Sequence, residues 1–184
     1  MKKITLLLIP IIGILLFSGC AGPKAGGSTE SSDMSDMPDW CEASGMKRDG
    51  YYYACAFAKK KNPSLSRSIA STRSRAELAT AVETDVRQLI QDFLEESGVD
   101  DESEVSEYAV AVAQTVTSSI TSMSTIDNQK FGEDGVYYVL IKLDMNQVSK
   151  ETANAVKKNK ALYDKLQAMG KINEMNQIIM DQNK

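Results

Sequence analysis

Hydrophobic and polar positions divide the chain into stretches of different period. Ile4 to Phe17 is an apolar run broken only by Thr5, Pro10 and Gly13, whereas Ala21 to Pro38 has no period and is rich in Gly, Ser, Asp and Pro. The second stretch has the composition of a flexible tether. Order is expected from Asp39-Trp40, with a tight reversal at Lys47-Arg48-Asp49-Gly50. Tyr51 to Ala58 then alternates, placing Tyr51, Tyr53, Cys55 and Phe57 on one face and Tyr52, Ala54, Ala56 and Ala58 on the other. That is a strand whose alanine face admits a helix at close range.

After Asn62-Pro63 the period lengthens. Leu65, Ile69, Ala76, Ala79, Val86, Ile90, Phe93 and Leu94 recur at helical spacing, with Ser64 as N-cap and Ser97-Gly98 as the stop. Arg67, Arg73, Arg75 and Arg87 lie mainly off this stripe and read as a solvated face in preference to an anion site. Ser103, Glu104 and Glu107 open a second helix carrying Tyr108 to Gln114, and β-branched residues from Thr115 to Ile126 predict a strand. Phe131 to Gly135 reads as a reversal into a strand over Val136 to Asp144, with Tyr137, Val139, Ile141 and Leu143 on one face. A final helix is expected from Asn146 to about Asp181, with Val148, Val156, Leu162, Leu166, Met169, Ile172 and Ile178 near one side and Gly170 kinking it or ending its first half. The apolar side beyond Leu166 exceeds what so small a sheet covers, so this extended helix is expected to dock elsewhere. The fold class is α+β: a small antiparallel sheet packed by a long amphipathic helix, with an extended C-terminal helix.

The apolar run changes the picture of where the protein resides. Lys2 and Lys3 precede it, and Phe17-Ser18-Gly19-Cys20 closes it. At about 14 residues it is short of the roughly 20 that a spanning helix needs, and it suits a cleaved export signal. Phe17 to Cys20 resembles the lipobox of bacterial lipoproteins, in which cleavage precedes a cysteine bearing thioether-linked diacylglycerol. A plain secretory signal or an uncleaved anchor is the alternative. The resemblance implies a signal peptide over residues 1–19, lipidation of Cys20, and a tether over residues 20–38. Acyl chains such as palmitate gain about 0.8 kcal/mol per buried CH₂, and two or three on one residue anchor stably. Ala21 stands where lipoproteins of the inner membrane often carry aspartate, which points to the periplasmic side of the outer membrane.

Beyond residue 19 the chain keeps 19 basic against 25 acidic side chains, a formal charge of −6. A mildly acidic chain with no long basic run has no electrostatic footprint for nucleic acid or for anionic lipid headgroups, and neither partner is expected. With Cys20 lipidated, Cys41 and Cys55 are the only thiols. A disulfide between them closes a loop of about 15 residues, which is worth roughly 3 kcal/mol. Zinc is the rival reading, but a structural site takes four Cys or His ligands and the chain has no histidine. No metal and no cofactor is expected.

Catalysis has little to work with. There is no histidine, no Gly-x-Ser-x-Gly elbow and no phosphate-binding glycine loop. Glu95-Glu96 and Asp100-Asp101 sit at a helix end and in a polar loop, where solvated surface is the better reading than glycosidase carboxylates. The Tyr51 to Tyr53 run reads as strand packing in preference to a carbohydrate or partner face.

Trp40 shortly before an aromatic-rich strand, Arg-Ala-Glu-Leu-Ala at Arg75 to Ala79, and Tyr-Tyr-Val-Leu-Ile-Lys-Leu-Asp at Tyr137 to Asp144 together resemble the Lpp-twenty family of bacterial lipoproteins. The likeness covers about residues 38 to 150 and rests on the order of these segments behind a lipobox. It implies a helix packed across an antiparallel sheet over residues 39–150, with residues 151–184 as the C-terminal helix. Related folds are the N-terminal domain of flagellar assembly protein T and flagellar lipoprotein P. Members are envelope proteins without an established catalytic activity; the Cys41 and Cys55 pair is no general mark of the family. The expected role is therefore structural or assembly work among envelope proteins or with copies of itself. Regulation of a peptidoglycan synthase is the alternative, although a tether of about 18 residues reaches at most roughly 60 Å. An enzyme acting on wall carbohydrate stands third.

Overall fold

The computed structural model describes residues 37–182. The expected signal peptide, Cys20 and the tether as far as residue 36 lie outside the described residues. After a 3-10 helix at Asp39–Ala43 come β1 (Lys47–Arg48), β2 (Tyr51–Lys59), α1 (Pro63–Glu96), α2 (Glu102–Ile120), β3 (Thr125–Phe131), β4 (Val136–Asp144), α3 (Met145–Lys158), α4 (Lys160–Ala168) and α5 (Ile172–Asp181). The strands form one antiparallel sheet in the order β1-β2-β4-β3, so the fold is α+β. No helix among the described residues is long and apolar enough to cross a membrane.

The β1–β2 reversal turns on Asp49 and Gly50, both at positive φ (52° and 80°), the two-residue arrangement that matches strand twist. β2 then pairs with β4 along its whole length, Tyr51 opposite Asp144 and Lys59 opposite Val136. Tyr52, Ala54 and Ala58 face the helices together with Val139, Ile141 and Leu143. Tyr53 and Cys55 face the other way with Val136, Tyr138 and Leu140, where Cys41, Trp40 and Met37 cover them.

Asn62, not Ser64, caps α1: its side chain accepts from the Ser64 N–H, and Pro63 occupies the first turn where no donor is needed. The first half of α1 buries Ser66, Ala70, Ser71 and Ser74 rather than Leu65, Ile69 and Ala76. Facing an alanine strand, the helix approaches closely enough that only small side chains fit between. The buried hydroxyls are bonded: Ser74 donates to the Val139 carbonyl at 2.8 Å, and Ser66 accepts from the Lys60 N–H at 2.8 Å. Beyond Ala76 the helix buries Leu78 and Val82, which the expected stripe did not include, and then the expected Val86, Ile90, Phe93 and Leu94. Gly98, at φ +83°, ends the helix as expected.

Two sequence expectations are corrected. Thr115 to Ile120 is helical, and β3 starts only at Thr125. Val116 and Ile120 extend the stripe of Val105, Ala109, Val112 and Ala113 by the helical period, and burying it outweighs the β preference of the neighbouring threonines. Thr115, Thr117 and Thr121 instead turn their hydroxyls onto carbonyls four residues back. The expected single C-terminal helix is three helices. Asn159 ends α3 and caps α4 by accepting from the Leu162 N–H, and Gly170, at φ +69°, ends α4. These breaks fold the segment back, so Leu162, Leu166, Met175 and Ile179 lie in the same core as α1 and α2. No docking helix is left over, and α3 runs across residue 150 without interruption.

Candidate binding groove

β1 is only two residues long, and where α1 passes it an open groove of about 550 Å³ remains. Gly45, Lys47 and Tyr52 form the sheet wall; Ala76, Glu77, Thr80, Ala81, Thr84 and Asp85 form the helix wall. Small side chains at successive turns of α1 keep that wall thin, and no residue of α2 lines it. The hollow continues past Asp85 into a smaller one of about 170 Å³ bounded by Gln88, Leu89, Asp92 and Gln182.

Its polar groups are fixed. Lys47 Nζ lies 2.7 Å from Asp85 Oδ2 and 5.2 Å above the Tyr52 ring. Burial raises the Tyr52 hydroxyl well above the usual phenol range, and the nearby Asp85 carboxylate, to which it is hydrogen-bonded, adds to the shift. At the other end, desolvation raises the Glu77 carboxyl above its usual range against the opposing pull of the Ser44 hydroxyl and Arg73. Ser44 Oγ donates to Glu77 Oε2 at 3.4 Å and accepts from the Cys55 N–H at 2.8 Å. Asp85 is occupied by Lys47 and Tyr52. The groove's lining is largely apolar, with these polar groups beside it.

Cys41 and Cys55 are joined, with Cα atoms 5.3 Å apart and both residues buried. They do not pair across the β1–β2 hairpin. Cys41 sits on the 3-10 helix, which folds over the sheet face opposite α1. Tyr52 and Tyr53 are buried, and Tyr51 is half-buried under Lys142 Nζ at 5.3 Å, so the tyrosine run packs the sheet. Asp101 caps α2, accepting from the Ser103 and Glu104 N–H groups. Among the described residues no three His, Cys, Asp or Glu side chains converge on a point.

The sequence reading missed Lys47, Glu77, Thr80 and Asp85 as a group. One signal was present: Ala76, Thr80 and Thr84 recur every four residues, marking a narrow flank on α1. Nothing local announced that the strand opposite would be two residues long.

Comparison with known proteins finds no match among family models, curated proteins or solved structures.

Proposed function

We propose that this protein is a lipid-anchored envelope lipoprotein of the Lpp-twenty type, held at Cys20 on the periplasmic side of the outer membrane, and that it works as a structural or assembly component. It presents the α1–β1 groove to an envelope partner or to a second copy of itself. The observation that carries the reading is the Cys41–Cys55 disulfide, a bond of oxidising compartments, in a chain whose first twenty residues have the pattern of an export signal ending in a lipidated cysteine. The groove supports a binding role because it is open, largely apolar and fringed by fixed charges.

The test is purification of the lipidated protein from its own membranes in mild detergent, beside a Thr80→Arg variant that fills the groove with a charged side chain. Wild type is expected to elute with an envelope-machine component or as a homo-oligomer, and the variant to elute as a folded single chain. A wild-type chain that elutes alone overturns the assembly role.

A further inference from the structure

The net negative charge conceals a local reversal. From Lys59 to Ala76 the chain carries Lys59, Lys60, Lys61, Arg67, Arg73 and Arg75 and no acidic residue. The fold gathers the first four of these at one end. Ser66, fully buried, takes the Lys60 N–H at 2.8 Å and donates to the Lys60 carbonyl at 3.4 Å, which folds the lysine loop against the first turn of α1. Lys59, Lys60, Lys61 and Arg67 are all exposed there, and among the described residues none of them is in an ion pair. Leu65 lies between them in the chain and is 50% exposed. Strand register puts Lys59, exposed Phe57 and Lys130 on one sheet face at this end, Phe57 and Lys130 both opposite Tyr138. The acids nearest Lys130 in the chain are Asp127, which is paired with Lys142, and Glu133 and Asp134 in the β3–β4 turn, so cations outnumber unpaired acids here.

Folding does not account for these cations. A helix N-terminus favours negative charge, yet the first turn of α1 has no acid and Arg67 follows one turn on. The last turn of α3, with Lys157 and Lys158, and the first turn of α2, with Glu102 and Glu104, follow the rule.

We propose that this end of the domain, Lys59 to Arg67 with Phe57 and Lys130, is a docking surface for an anionic phospholipid bilayer. The cations meet headgroup phosphates, and Leu65 and Phe57 enter the headgroup layer. A soluble polyanion would use the cations but gain nothing from the exposed leucine. The proposal deepens the lipid-anchored reading, which explains why a bilayer lies within reach.

The experiment uses the mature chain, residues 20–184, carrying Cys20→Ser, so that binding owes nothing to acyl chains. It is sedimented with vesicles of phosphatidylglycerol mixed with phosphatidylcholine, and with phosphatidylcholine alone. Binding is expected only to the anionic vesicles, weakening with salt and about five-fold for each of Lys60→Gln, Lys61→Gln and Arg67→Gln. Leu65→Ser is expected to weaken vesicle binding without changing retention on a soluble polyanion. Lys157→Gln with Lys158→Gln is expected to change nothing. Absence of binding to anionic vesicles, equal binding to phosphatidylcholine, equal loss in the Lys157 and Lys158 control, or indifference to Leu65→Ser would overturn the proposal. None of these outcomes bears on whether Cys20 is lipidated in the cell.

Discussion

Ser74 is wholly buried between α1 and the sheet, and its hydroxyl donates to the Val139 carbonyl of the central strand β4. Ser74→Ala removes this one hydrogen bond, for an expected loss of about 0.5–1.5 kcal/mol by urea unfolding. Replacing Cys41 and Cys55 together by alanine opens the loop between residues 14 apart, with an expected loss of about 3 kcal/mol. Wild type treated with reductant should lose a similar amount. Glu104 supplies a pH dependence. Hydrogen bonds from Lys165 and then Tyr108 hold its carboxyl below the ordinary value, tying α4 to α2. A lowered folded-state value stabilises above the ordinary carboxylate range and is lost as pH falls through the folded value. The stability difference between wild type and Glu104→Gln should therefore be present at neutral pH and vanish in acid, as urea midpoints at the two pH values would show. At this scale the sequence was only partly legible. Cys41 and Cys55 were readable as a pair because no other thiol competed. Ser66 and Ser74 were not, since buried serines interrupt an apolar stripe and take their meaning from the strand they touch.

Among the elements, β2, α1 and β4 were readable because each has one clear period and a turn signal at its ends. The end of α2 was not. Thr115, Thr117 and Thr121 carry strand preference, and the helix persists because Val116 and Ile120 find α1 to pack on. The C-terminal segment misled in the opposite sense: its helical period is real, but Asn159 and Gly170 redirect it twice and return its apolar side to the core. Leu166→Ala and Ile179→Ala should each cost about 2–5 kcal/mol, as buried large-to-small changes do. A free docking helix would lose almost nothing in the isolated protein, so urea unfolding of these variants separates the two descriptions. Gly170→Ala should cost about 1 kcal/mol in the same assay, because φ of +69° strains any side chain. The groove escaped notice for a related reason: it depends on β1 being short, and strand length is set by pairing rather than by local pattern.

Across the whole molecule, the described domain has a sheet covered by α1 on one face and by a disulfide-bonded 3-10 segment on the other. The C-terminal helices close the far end of the core. The groove beside β1 and the basic end around Ser66 are both built on α1, the basic end on its first turns and the groove around its middle. On the reading proposed above, the protein is anchored to a bilayer through its N-terminus and offers the groove to a partner there. That proposal depends above all on Cys20. Intact-mass and N-terminal peptide mass spectrometry of the protein from its own membranes is the most direct test. The account predicts a chain beginning at Cys20 whose first peptide carries the mass of a diacylglycerol. A chain that retains residues 1–19, or one cleaved there with an unmodified cysteine, would contradict it.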